Sequence, residues 1–146
     1  MKLLHRCIAI SSTLVLLSSL STLFSGCDAI CPPSNVSFKN CIVPTLEANC
    51  AGSGCHGGDE AAYGLVLDKD HYKNLYGTKE SRKKSVLNDT FFMVDPGKAD
   101  KSALYIKMLD TYATVGGDKM PPYRGNMTQA QLDMIKAWIN EGAKNN

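Results

Sequence analysis

The chain has no surplus of positive charge with which to hold a nucleic-acid backbone. Its 16 Lys and Arg include Lys2 and Arg6, both in an N-terminal segment that reads as an export signal, and setting those two aside leaves 14 basic residues against 14 acidic ones. A DNA or RNA partner is disfavoured on that balance. Internal repeats and low-complexity tracts are also missing, so a repeat architecture is not indicated. At 146 residues and 44% hydrophobic content the chain is too short for two cores, and one domain is expected.

What is present begins with the signal. Lys2 and Arg6 precede the uncharged run "CIAISSTLVLLSSLSTLF", which ends in Ser25 and Gly26. The serines, threonines and terminal small residues favour a cleaved segment over a membrane-spanning helix. "LFSGC" at Leu23 to Cys27 resembles a bacterial lipobox, in which the cysteine becomes lipidated and forms the new N-terminus. Residues 1–26 are thus expected to be a lipoprotein signal peptide, 27–37 a lipid-anchored tether containing Pro32 and Pro33, and 38–146 the folded domain.

Six cysteines, less Cys7 in the signal and Cys27 for lipid, leave Cys31, Cys41, Cys50 and Cys55. An even set in an exported protein needs partners. Two disulfides satisfy them, and so does one disulfide, Cys31 to Cys41, with a cofactor held by Cys50 and Cys55.

The mature part reads as mainly helical, an all-α fold with long loops. Pro44 suits the first turn of a short helix that delivers Cys50. Leu65-Val66-Leu67 is followed by Asp68 or Asp70 as a cap and by helical turns ending at Gly77. Leu104, Met108 and Leu109, with Tyr105 and Ile106, fit a helix of about three turns from near Asp100. The clearest element is the last one. Thr128 and Gln131 form a capping box, Met127 staples onto Leu132, and Leu132, Ile135, Trp138 and Ile139 mark one face up to Gly142. Lys79, Arg82, Lys83 and Lys84 lie in a polar stretch that is either a solvated loop or a docking patch for an acidic redox partner.

The stretch "NCAGSGCHGGD" from Asn49 to Asp59 carries the chemistry. A stretched covalent-haem site, a zinc site and a disulfide all fit its cysteines. Covalent haem needs two thiols for the two vinyl groups and an imidazole directly after the second thiol, and Cys55-His56 supplies that pair. The usual inter-cysteine spacing is two residues and here it is four, but Ala51 and Ser53 are small and Gly52 and Gly54 tolerate positive φ, so the added backbone can bulge outward. Zinc would draw on Cys50, Cys55 and His71 and leave His56 unexplained. For a second axial ligand the glycine- and proline-rich loop offers Met120, stiffened by Pro121-Pro122, with His71 as the competitor. Met93, Met108, Met127 and Met134 are assigned to packing.

In order and spacing these pieces resemble the small bacterial c-type cytochrome domains often called planctomycete-type. The resemblance rests on "CAGSGCHGG", on Gly64-Leu65 with Leu67, and on Pro96-Gly97 before Ser102 and Leu104. It continues through Met120-Pro121-Pro122 to Trp138-Ile139 with Gly142-Ala143, about four fifths of the mature chain. It implies a small cytochrome c-like helical fold whose long loops wrap one covalently attached haem c, with thioethers at Cys50 and Cys55 and iron ligation by His56 and Met120. An electron carrier without catalysis of its own is expected, facing the periplasm on a membrane through the lipid on Cys27 and exchanging electrons with redox proteins of the cell envelope. Two other readings remain: a haemless disulfide- or zinc-stabilised envelope lipoprotein with a binding role, and a haem sensor or peroxidase in which Met120 dissociates.

Overall fold

A computed structural model describes residues 31–122 and 125–146, so the expected signal peptide and the lipid cysteine Cys27 lie outside the described residues. Four α-helices carry the fold: α1 (Val43–Cys50), α2 (His71–Tyr76), α3 (Ala103–Ile106) and α4 (Gln129–Asn140). Among the described residues there is no strand, only isolated bridges such as Lys84 with Phe92 and Phe92 with Ser102. The mainly helical reading stands.

Pro44 occupies the first turn of α1, where its missing N–H costs nothing. A wider π-type turn, Phe38–Ile42, runs directly into that helix. The segment before it is already fastened. Cys31 and Cys41 form a disulfide, and the Glu141 carboxylate accepts the amides of Asn35 at 2.8 Å and Val36 at 3.0 Å.

Helix α4 is the organiser of the core. Its capping box is complete, with Gln131 N–H donating to Thr128 Oγ1 and Thr128 N–H to Gln131 Oε1. Ile135, Trp138 and Ile139 recur at helical spacing and are fully buried, and the helix contacts the Phe38–Ile42 turn, the Ala99–Lys101 turn and α3. Trp138, 1% exposed, stacks on Phe38 at 5.1 Å and donates its indole N–H to Lys144 O. Tyr72 of α2 meets the same Phe38 edge-on at 5.3 Å, which draws α2 into the cluster.

The helix expected from near Asp100 is much shorter than its apolar pattern predicts. Ser102 is extended (φ −95°, ψ 120°), and its hydroxyl bonds to Asp95 and Lys98. The amides of Ala103 and Leu104 then donate to the carbonyls of Phe92 and Met93. The chain gains cross-links to 83–93 at the cost of helix continuity, and α3 is left as one turn. Asp70 does precede α2, yet its side chain caps nothing, and the Asp68 carboxylate instead accepts the amide of Gly58 at 2.7 Å.

Candidate functional site

The end of α1 delivers Cys50 to a cavity, and the loop that follows turns back at once. The amide of His56 donates to Cys50 O at 3.1 Å and that of Cys55 to Gly52 O at 3.0 Å, so the four residues between the cysteines form a closed bulge. Gly54 takes positive φ (+76°) as expected, whereas Gly52 does not. Gly57 is needed for a different reason: a Cβ there would collide with the carbonyl of Ala51.

Cys50, His56 and Met120 line one cavity of about 860 Å³, its open mouth included. Leu65, Leu67, Leu104 and Met108 supply apolar wall, and Val86, Leu87 and Tyr63 form much of the rim. These three rim residues are the exposed large apolar side chains among those described, with Tyr63 66% and Val86 64% exposed. Cys55 is half-buried and is not part of this wall. Cys55 is a free thiol, so the Cys50–Cys55 disulfide that the sequence allowed is not present.

The His56 ring is oriented by the backbone. Its Nδ1 stands 3.2 Å from Leu65 O, and because a carbonyl only accepts, Nδ1 carries the proton and Nε2 keeps a lone pair. Burial lowers the pKa of His56 below its ordinary value, opposed by the hydrogen bonds to Leu65 and Ala62. A neutral imidazole with a fixed tautomer is the form that binds a metal.

Met120 comes from the loop after α3, and its amide donates to Lys107 O at 2.7 Å. Met93 and Met108, assigned to packing, also line the cavity, and Met108 is buried as well. His71 is elsewhere. Its Nε2 lies 3.0 Å from Glu47 Oε1, within ion-pair distance but outside hydrogen-bond geometry, and its ring faces a separate shallow groove with Phe38 and Lys39. The zinc set of Cys50, Cys55 and His71 is therefore not assembled, and no group of three or more His, Cys, Asp or Glu suited to a metal ion occurs among the described residues.

The basic stretch divides. Arg82 pairs with Asp95 at 2.7 Å and lies over the Phe92 ring at 3.6 Å, while Lys83 and Lys84 reach the cavity wall. Lys107 was missed in the sequence. It is buried in the same wall, donates to Gly116 O at 2.6 Å, and burial lowers its pKa against the opposing field of Asp118. The spacing held the signal: Leu104, Lys107 and Met108 fall at i, i+3 and i+4, which places the lysine on the apolar side.

Of the donors that a covalently held haem would need, Cys50, the His56 imidazole and the Met120 thioether share one apolar-walled cavity, whereas Cys55 lies outside its lining. Comparison with protein-family models, curated proteins and solved structures gives no match.

Proposed function

We propose that the chain is a monohaem c-type cytochrome lipoprotein that carries electrons at the bacterial cell envelope. The observation that carries this reading is the convergence of Met120, distant in the chain, with Cys50 and His56 on one apolar cavity in which the His56 tautomer is fixed. A small cytochrome c-like fold, with short helices and long loops around one cavity, is consistent with the element order.

The haem supplies a one-electron iron centre. Cys50 and Cys55 would hold it covalently and His56 would be its imidazole ligand, oriented by the hydrogen bond of its Nδ1 to Leu65 O, while the Ala51–Gly54 loop is closed on itself by backbone hydrogen bonds. Met120 offers a soft sulfur that raises the reduction potential relative to a second histidine. Leu65, Leu67, Leu104 and Met108 line the cavity and would keep water from the bound group. With His56 and Met120 both given to the iron, no position would be left for substrate, and the protein would act as a carrier without catalysis of its own. The lipid on Cys27 confines it to a periplasm-facing membrane surface, where redox partners diffuse in two dimensions.

Export in a host with c-type maturation tests this. A haem spectrum that survives acid-acetone extraction, with the mass of one haem added, is expected. A colourless product with both thiols unmodified would leave the haemless envelope lipoprotein as the reading.

A further inference from the structure

Lys107 is the one charged side chain that is buried among the described residues, 8% exposed. Its ammonium carries three donors, and one goes to Gly116 O at 2.6 Å. No carboxylate among the described residues comes within ion-pair distance of it: Lys119 takes Asp110 at 2.6 Å, and Asp118 acts only through its field. The Tyr112 ring at 5.6 Å is the remaining contact of charge with matter that can answer it.

A cation removed from water and left without a counter-charge is unfavourable, and buried charges are as a rule paired. The surroundings keep its approach open. A Cβ at Gly117 would stand 3.5 Å from the Lys107 Nζ and 3.2 Å from Leu87 Cδ1, filling the space between the ammonium and the rim. Lys107, Gly117 and Leu87 all line the cavity that holds Cys50, His56 and Met120.

We propose that Lys107 is the anion-receiving group of this cavity and takes a carboxylate of its ligand, which in the haem reading, on which this rests, is a propionate. The lysine holds the ring's orientation by one charge-assisted hydrogen bond. It is a positioning residue and has no part in iron ligation.

The test uses the chain exported by a host without c-type maturation, titrated by Soret absorbance with ferric hemin and with hemin dimethyl ester, whose carboxylates are blocked. A charge-assisted bond of ordinary strength makes hemin bind about tenfold more tightly than the ester. Lys107→Met is expected to lose that preference by weakening hemin and leaving the ester unchanged, and Lys107→Arg to keep it. Lys107→Gln serves in place of Lys107→Met if the latter does not fold. Equal weakening of both ligands by the substitution would reduce Lys107 to a packing role and overturn the assignment. Equal affinity of the wild-type chain for both ligands would overturn it while leaving the haem reading intact. Failure to bind either ligand would remove the haem reading and the assignment together.

Discussion

The amide of Met120 donates to the carbonyl oxygen of Lys107 across 2.7 Å, so residue 120 is tied to the end of α3 by a backbone hydrogen bond. Side-chain substitution at 120 leaves that tie in place.

Met120→Ala is therefore expected to remove a ligand without releasing the loop. The haem-loaded variant should show a reduction potential lower by on the order of 0.1 V and should bind carbon monoxide, read by potentiometry and by the ferrous difference spectrum. An unchanged potential would give the distal role to another group.

The pH dependence of the haem-free fold follows from His56. Its pKa in the fold is lowered from 6.5, so above that value neither state binds the proton and the fold keeps its full stability. As the pH falls through the unfolded value the unfolded chain is protonated first, and stability is lost until the folded pKa is passed. Urea midpoints measured from about pH 8 to pH 5 should decline more steeply for the wild type than for His56→Gln, the ordinary histidine pKa lying inside that window. Parallel declines would assign the loss to other groups.

Cutting the Cys31–Cys41 disulfide loosens the entry to the domain. Replacing both cysteines by serine should cost about 2–3 kcal/mol, from the loop-closure entropy of the short ring they close. Denaturant unfolding under non-reducing conditions measures it, and an unchanged midpoint would mean that the Glu141 clamp on Asn35 and Val36 alone fixes the segment.

Cys27→Ser should move the exported protein from the membrane to the soluble periplasmic fraction. Continued membrane retention of this variant would remove the lipid anchor from the proposal.

The final helix was legible because every local signal agreed: the Thr128–Gln131 box, the 135-138-139 stripe and the stop at Gly142 all appear as read. Around residue 100 the apolar spacing misled. Ser102 satisfies three backbone groups with its hydroxyl, and the next two amides find partners some ten residues upstream, a non-local arrangement that periodicity does not encode. The pairing of Cys31 with Cys41, named in one of the two solutions that the sequence left open, is formed. Met120 and His71 were rivals on paper. Their separation into different cavities depends on how α2 docks against Phe38, which no short window of sequence contains.

The clamp at Glu141 also decides where mechanical load travels. A pull on the chain ahead of Cys31 is shared between the covalent Cys31–Cys41 link into the turn before α1 and the two amides that the Glu141 carboxylate holds at the end of α4.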